Sequence, residues 1–247
     1  MNMIGDEMKD LRFLKEYKIA HRGVHNDKVP ENSLASFKKA IRENYAIEFD
    51  VHLLKDNTIV VFHDDDLKRM CNSNKKLKDL TLNEIKEYKL KESKEKIPTL
   101  KEVLSIINGK VPIIVELKSD RKVGLLENEL VKELDNYNGL FAIKSFNPLI
   151  VNWFKKNRPD YIRGLLVPNK KNNIKLFVLN KMFLLNICKP DFLSCNYNMY
   201  DNKKVIKFKK EKPVLAWTIN SQKNYDKYKN KFDNLICNNM EGLKWKN

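Results

Sequence analysis

Three short polar clusters in the first 64 residues carry the side chains best suited to chemistry. They are His21-Arg22-Gly23, Glu48-Phe49-Asp50 and Phe62-His63-Asp64, and each closes a short apolar run typical of a β-strand. Parallel strands of α/β proteins deliver the residues at their carboxyl ends to one site, so we expect these clusters to meet. The two histidines are candidates for general acid and general base, because imidazole exchanges protons near neutral pH.

The carboxylates in these clusters indicate a metal site. Glu48 and Asp50 are two residues apart on one strand and therefore point to the same face, and Glu116 ends a later apolar run. Three converging carboxylates repel one another unless a cation neutralises them, and oxygen ligands favour Mg²⁺ or Ca²⁺ over zinc. The alternative, helix caps or surface charge, is disfavoured because the residues lie inside apolar strands.

The composition bounds the class of protein. A chain of 247 residues with 42% hydrophobic content suits one α/β barrel or two small domains. The net charge of +16 comes from 41 lysines and only 7 arginines, scattered along the chain. Nucleic-acid readers favour arginine for bidentate contacts, and no nucleic-acid motif is present. We therefore expect a solvated lysine-rich surface with at most a weak attraction to anionic membranes.

Cysteine usage and hydropathy indicate a cytoplasmic protein. The four cysteines form no C-x-x-C pair, so neither a disulfide framework nor a zinc site is expected. Residues 1–16 lack the apolar core of a signal peptide. The most apolar run, Ile174 to Ile187, is too short and too polar to span a bilayer, and we interpret it as a buried barrel helix.

Apolar runs alternate with helical patterns along most of the chain. The predicted strands are Lys18–Ala20, Ala46–Leu53, Val111–Lys118, Leu140–Phe146, Tyr161–Val167, Phe192–Tyr197, Val214–Ile219 and Asn234–Cys237. The predicted helices between them include Ser33–Asn44, Leu125–Tyr137, Pro148–Asn157 and Lys203–Lys210. Eight such units predict a single TIM (β/α)8 barrel over residues 1–247. An open doubly wound sheet would need a glycine-rich loop after the first strand, and none is present.

Residues 55–110 are too long for a simple crossover between the second and third strands. They contain an extra strand, Ile59–Phe62, which a turn at Asp56-Asn57 pairs with the second strand as a hairpin. Two helices are predicted near Leu82–Leu90 and Leu100–Ile107, the first with a capping box formed by Thr81 and Glu84. We interpret the segment as a small insertion at the barrel mouth.

The motifs and their order resemble the glycerophosphodiester phosphodiesterase family over roughly residues 18 to 240. The resemblance rests on His21-Arg22-Gly23, Pro30-Glu31-Asn32-Ser33, Glu48-Phe49-Asp50-Val51, Lys55-Asp56, His63-Asp64, Val115-Glu116-Leu117-Lys118, Ser145-Phe146 and Ala216-Trp217-Thr218-Ile219-Asn220. Each motif alone is weak, but their order and spacing together are specific. The resemblance implies that Glu48, Asp50 and Glu116 hold the metal and that the products are sn-glycerol 3-phosphate and an alcohol.

Further residues are expected to bind substrate. Arg22 and Lys118 supply positive charge for the phosphoryl oxygens, and Lys118 shares a strand face with Glu116. Trp217 resembles the family's barrel-mouth tryptophan and either walls the glycerol pocket or packs in the core, and Phe146 is a weaker candidate for the same place.

Four other residues are assigned by position. Glu31 and Asn32 either support the site or brace the first loop. His52 lies on the face of Glu48 and Asp50, whereas His25 is expected in a surface loop.

The chain departs from the family pattern at three places. Lys144 stands where the family usually has glutamine, Met70-Cys71 replaces two threonines, and no proline follows the last strand. None of these positions is a predicted metal ligand or a predicted proton carrier. We therefore expect the departures to affect substrate preference more than activity.

The sequence thus predicts a metal-dependent phosphodiesterase that acts on a small glycerophosphodiester. A lysophospholipase D acting on lipids with the same residues is the nearest alternative, and a non-catalytic phosphate-binding or anionic-surface barrel is another. Which histidine is the acid stays open, as does the choice between direct hydrolysis and a cyclic phosphate intermediate. The leaving alcohol and the oligomeric state are also open.

Overall fold

The computed structural model describes residues 9–118, 121–169, 184–238 and 240–245. Its strands are β1 (Ile19–His21), β2 (Ala46–Leu53), β3 (Ile59–Val61), β4 (Ile113–Leu117), β5 (Phe141–Ser145), β6 (Ile162–Val167), β7 (Phe192–Asn196), β8 (Val214–Ile219) and β9 (Asn234–Cys237). Eight of them pair in parallel around a closed barrel in which β1 contacts both β2 and β9. The remaining strand, β3, is antiparallel to β2. The predicted (β/α)8 barrel is confirmed.

The helices lie between the strands, as the alternating pattern predicts. They are α1 (Phe13–Glu16), α2 (Leu34–Arg42), α3 (Lys68–Cys71), α4 (Leu82–Ile85), α5 (Leu100–Ile107), α6 (Leu125–Leu134), α7 (Pro148–Asn157), α8 (Leu184–Cys188), α9 (Lys203–Lys209) and α10 (Gln222–Tyr228). Single 3₁₀ turns occur at Leu77–Asp79, Tyr197–Met199 and Met240–Gly242. Most of the predicted helix over Ile174 to Ile187 lies outside the described residues. No helix within the described ranges is long and apolar enough to cross a bilayer.

One predicted helix is wrong in length. The pattern over Leu82–Leu90 predicts nine helical residues, but α4 ends at Ile85. The chain then turns so that Lys89 pairs with Lys96, and the Leu90 amide donates to the Glu95 carbonyl at 2.8 Å. Leu90 is buried through this turn and not through a helical face. The predicted capping box is confirmed, because the Thr81 amide donates to Glu84 Oε2 at 2.8 Å.

Apolar side chains fill the amino-terminal half of the barrel. This layer consists of Ile19, Ala46, Ile114, Ala142, Phe192, Leu215 and Ile236, and α1 covers it with Phe13 and Leu14. Gly164 leaves room for the large ring in this layer, since a Cβ there would lie 2.3 Å from the ring of Phe192. Because this apolar layer fills the amino-terminal half, the polar interior positions lie at the carboxyl ends of the strands, where barrel enzymes bind their substrates.

The hairpin of β2 and β3 determines where His63 lies. The Asp56-Asn57 turn reverses the chain, and the ladder pairs Leu53 with Ile59 and Val51 with Val61. Just beyond β3, the Phe62 amide donates to the Asp50 carbonyl at 3.0 Å. His63 therefore returns to the level of the carboxylates on β2.

The insertion has a hydrophobic cluster of its own. That cluster consists of Leu54, Val60, Phe62, Leu67, Met70, Leu77, Leu80, Ile85, Leu90 and Ile97. Helix α5, in contrast, packs its buried face with the main cluster between the barrel and its outer helices. The cluster anchors the segment that carries His63 against the barrel.

We predict that Phe192→Ala destabilises the protein by about 3–5 kcal/mol, because it opens a cavity inside the barrel that the strands cannot collapse to fill. Leu149→Ala is the matched control, since Leu149 is 58% exposed on α7, and a change within about 0.5 kcal/mol is expected there. Urea denaturation measures both. Equal and small losses in the free energy of unfolding in the two variants would contradict the role assigned to Phe192 in the apolar layer.

Candidate functional site

Three buried carboxylates form the centre of the polar end of the barrel. Glu48 and Asp50 come from β2 and Glu116 from β4, and the strand register pairs Asp50 with Glu116. One oxygen of each carboxylate lies within 4.8 Å of the others. All three side chains are buried. The structure therefore brings together the three residues that the sequence predicts as metal ligands.

Two lysines contact these carboxylates from neighbouring strands. Lys118 Nζ lies 2.8 Å from Asp50 Oδ1 and 2.6 Å from Glu116 Oε1. Lys144, on β5, lies with its Nζ 2.8 Å from Glu48 Oε1 and 3.3 Å from Glu116 Oε2. Burial opposes the charge on Lys118, but Asp50 and Glu116 outweigh it and raise the pKa of Lys118. Burial opposes the charge on Lys144 as well, but Glu48 and Glu116 raise its pKa, so both lysines stay positively charged.

Arg22 is the third cation at the centre. Its Nε lies 3.2 Å from Asp50 Oδ2, and its Nη1 donates to Glu31 Oε1 at 2.6 Å. Burial alone would raise the pKa of Asp50, but the charges of Lys118 and Arg22 hold that pKa below its usual range. Arg22 is in the left-handed region, with φ of +57°, and its amide hydrogen points to Glu48. Strain of this kind persists only where surrounding contacts impose it.

The loop after β1 folds tightly so that Asn32 reaches the centre. Asn32 Nδ2 donates to Asp50 Oδ2 at 3.0 Å, which orients that carboxylate. Gly23 permits the turn, because its φ is +79° and a Cβ there would meet Ser36 Oγ at 2.5 Å. Asn32 therefore contacts the site directly and does more than brace the loop.

His21 faces the carboxylates with one ring nitrogen and an amide with the other. Its Nδ1 lies 2.6 Å from Asn238 Oδ1, and its Nε2 lies 3.9 Å from Glu48 Oε2. Because an amide oxygen only accepts, the hydrogen is on Nδ1 and the lone pair of Nε2 faces the centre. Burial, with the nearby charge of Arg22, lowers the pKa of His21 to about 3, so its ring is neutral at neutral pH.

His63 has an ionic partner instead. Its Nδ1 lies 2.6 Å from Asp64 Oδ1, and Arg69 Nε lies 2.7 Å from the other oxygen of that carboxylate. Arg69 also contacts Glu31 at 2.7 Å, and Glu31 in turn pairs with Arg22. A continuous chain of ion pairs therefore links His63 in the insertion to the guanidinium beside Asp50.

His52 supports the backbone beside His63. Its ring is buried at the end of β2, and its Nε2 lies 3.2 Å from the His63 carbonyl oxygen. The sequence places His52 on the face of the carboxylates. In the structure its ring contacts the backbone of the segment that carries His63.

Trp217 and Phe146 form an aromatic pair beside the polar centre. Their rings are perpendicular, with centroids 5.5 Å apart, and both side chains are half-buried. Trp217 Nε1 donates to the Ser194 carbonyl at 2.8 Å, which fixes the indole. Phe146 lies two residues after Lys144 and thus on the same side of β5 as the carboxylate contact. Phe146 follows β5 and Trp217 lies in the carboxyl half of β8, and Trp217 also packs against the apolar layer of the barrel.

His25 lies in the loop after β1, as expected, but its contact and several others were not predicted. His25 is half-buried, with its Nε2 3.3 Å from Asn238 Oδ1, so it shares the acceptor of His21. Asn238, Asp64 and Arg69 were assigned no role, although His63-Asp64 is a contiguous pair that could have suggested one. Three of the four cysteines are buried, whereas Cys71 is half-buried.

The donor set fits a hard divalent cation. Three buried carboxylates converge on one point, and among the described residues Asn32 Oδ1, in the side chain that contacts Asp50, is buried and accepts no hydrogen bond. Buried oxygens normally have a hydrogen-bond partner, so one without a partner beside three carboxylates suits a metal that prefers oxygen. Sulfur and imidazole ligands, which zinc or copper would favour, are not part of this cluster.

Comparisons with known proteins agree with this arrangement. Residues 21–240 match the glycerophosphoryl diester phosphodiesterase family. A glycerophosphodiester phosphodiesterase of Caldanaerobacter subterraneus is 38% identical over 164 residues, which are 62% of this chain and 67% of that protein. A human lysophospholipase D is 34% identical over 140 residues, 51% of this chain and 44% of that protein.

The fold is shared with solved structures of the same kind. An Oleispira antarctica phosphodiesterase, solved in complex with the product sn-glycerol-3-phosphate, superposes with a TM-score of 0.80 at 25% identity and covers 92% of this chain and 94% of its own. Because the family match spans the whole barrel and the barrel itself is shared, the chain belongs to the glycerophosphoryl diester phosphodiesterase family and is a phosphoric diester hydrolase.

Proposed function

We propose that this protein hydrolyses a glycerophosphodiester to sn-glycerol 3-phosphate and an alcohol, with one divalent cation and two histidines. The observation that carries the proposal is the pair of histidines at a buried carboxylate centre, each with its Nδ1 fixed at 2.6 Å by an oxygen. The product in the Oleispira antarctica structure supports the substrate class. Release of glycerol 3-phosphate from a panel of glycerophosphodiesters tests it.

Glu48, Asp50 and Glu116 would hold the cation. When bound, a Mg²⁺ or Ca²⁺ ion supplies charge that stabilises the non-bridging oxygens of the phosphodiester. Arg22 and Lys118 add fixed positive charge beside these carboxylates, at a place that excludes most water. Preorganised charge of this kind stabilises the transition state without reorganisation during the reaction.

The proton-transfer roles follow from the partners of the two rings. Neutral His21, with the Nε2 lone pair toward the centre, accepts the proton of the nucleophile as its oxygen bonds to phosphorus. The nucleophile is either water, which gives glycerol 3-phosphate directly, or a substrate hydroxyl, which gives a cyclic phosphate that water then opens. His63, whose Nδ1 lies 2.6 Å from the Asp64 carboxylate, is oriented by that contact and takes the role of general acid. It donates a proton from Nε2 to the alcohol oxygen as the bond from phosphorus to that oxygen breaks. Exchange with water then restores both rings.

A lysophospholipase D activity is the second candidate. Exposed apolar side chains follow the carboxyl ends of two barrel strands, Leu149 after β5 and Tyr200 after β7. Together with the net charge of +16, they would suit an anionic lipid surface beside the site. The similarity to a human lysophospholipase D adds support. Turnover of a lysophospholipid is compared with turnover of glycerophosphocholine on the same preparation. Faster turnover of the lysophospholipid would favour the lysophospholipase D activity.

Two broader assignments belong to the same proposal. We propose a cytoplasmic enzyme on the ground that all four cysteines are unpaired. We also propose that residues 1–247 form one catalytic domain with residues 55–110 as an insertion, since His63 on that segment belongs to the same site as His21.

We predict that exhaustive chelation abolishes turnover and that Mg²⁺ or Ca²⁺ restores it, because the three carboxylates need a cation to hold the diester. Activity is measured before chelation, after it, and after each ion is added back separately. Glu116→Gln is expected to weaken the response to added metal. Full activity in the chelated protein would refute the metal centre.

The histidine roles predict losses in turnover with little change in binding. His21→Ala and His63→Ala should each lower kcat by ~10²–10⁴, the usual contribution of a general acid or base. KM should change much less, because the charge proposed to bind phosphate comes from Arg22 and Lys118. Thermal melting of each variant controls for folding. Wild-type turnover in a well-folded variant would remove that histidine from the mechanism.

Lys118→Met should cost ~2–4 kcal/mol in transition-state binding, by analogy with a lost oxyanion donor. Lys203, Lys204, Lys209 and Lys210 on or beside α9 are expected from the sequence to face solvent. Three of them do, whereas Lys209 is half-buried and donates to the Lys231 carbonyl at 2.9 Å.

The control for Lys118 is therefore the triple substitution of Lys203, Lys204 and Lys210 by methionine. Exposed charge is screened over about 10 Å, so the triple variant should retain its kcat/KM on a water-soluble diester. A larger loss in the triple variant than in Lys118→Met would favour the lipid-surface candidate.

A further inference from the structure

Lys144 is a buried cation placed between two of the candidate metal ligands. Its side chain is 2% exposed, and its Nζ contacts carboxylate oxygens of both Glu48 and Glu116. The register of β4 and β5 pairs Glu116 with Lys144, so the strand backbone itself delivers the ammonium to this place. Burial of an unpaired ammonium is expensive, and these two carboxylates are what make it tolerable.

Without a metal ion, the charges at the centre already come within one unit of balance, since Arg22 is shared between Asp50 and Glu31. Three carboxylates face three cationic side chains, which are Arg22, Lys118 and Lys144. A divalent cation among the carboxylates would therefore leave the centre with a surplus of positive charge. Lys118 and Arg22 are partly open to solvent, with 15% and 14% of their side chains exposed, so water can screen them. Water cannot screen the charge of Lys144 in this way, because its side chain is buried.

We propose that Lys144 is a built-in counter-charge that weakens divalent-cation binding at this centre and couples it to binding of the phosphate group. A phosphate diester or monoester brings negative charge that offsets the surplus, so the metal and the phosphate each raise the affinity for the other. Lys144 is a positioning residue, because it acts through Glu48 and Glu116. The inference rests on the proposed metal centre.

The test measures metal binding by itself, without turnover. Isothermal titration of MgCl₂ and of CaCl₂ into chelator-treated protein, at fixed ionic strength, compares the wild type with Lys144→Gln and Lys144→Met. Both variants should bind the ion at least about tenfold more tightly, because a unit positive charge within a few ångströms is removed. Lys101→Gln, an exposed site on α5, makes the same change in net charge and should leave the affinity as it is.

The coupling gives a second readout. In the wild type, saturating sn-glycerol 3-phosphate should tighten metal binding several-fold, and in Lys144→Gln this gain should shrink. The wild-type measurement needs no variant to fold, and absence of coupling there would overturn the inference. Lys144→Arg keeps the charge and should retain weak binding.

The remaining outcomes separate the inference from the function on which it rests. If Lys144→Gln binds metal no more tightly than the wild type while Glu116→Gln abolishes binding, the metal centre stands and the role of Lys144 is overturned. If neither the wild type nor the Lys144 variants bind Mg²⁺ or Ca²⁺, the proposed metal centre itself fails, and the inference fails with it.

Discussion

Burial of three carboxylates inside one end of a barrel is the constraint on which the rest of this structure depends. Glu48, Asp50 and Glu116 lie within 4.8 Å of one another and almost without solvent. Such charges are tolerated only if cations reach them, and each available cation requires an element in a particular place. Lys118 and Lys144 arrive from adjoining strands, whereas Arg22 arrives through a left-handed turn. The backbone of the β1 loop is therefore shaped by the electrostatics of the centre.

The same electrostatic requirement extends into the insertion. Arg22 needs Glu31 as a second partner, Glu31 is held by Arg69, and Arg69 holds the Asp64 carboxylate beside His63. The hairpin of β2 and β3 and the small cluster behind it keep this chain of contacts in register. Residues 55–110 are not one of the eight β/α units of the barrel, but they carry side chains that contact the site.

The sequence predicts the strands and the residues that share a strand face. It does not predict the contacts between residues that are distant in sequence. Buried parallel strands are nearly continuous apolar runs, so Ala46–Leu53 and Val214–Ile219 were predicted at their observed bounds. Alternation along a strand then fixed which carboxylates share a face. The partner of His21, in contrast, is Asn238, 217 residues away, and only closure of β9 onto β1 brings them together. The α4 prediction failed because a turn, and not helical periodicity, buries Leu90.

The two histidines differ in a way that only the folded chain reveals. Each has an oxygen 2.6 Å from its Nδ1, but Asn238 offers a neutral amide and Asp64 an ionised carboxylate that Arg69 holds in place. A carboxylate stabilises imidazolium, whereas an amide fixes the tautomer of the neutral ring without favouring a charge. Arg22 beside His21 adds a further cost to protonation of that ring. The two identical side chains thus lie in different environments, one beside a neutral amide and a guanidinium and the other beside a carboxylate.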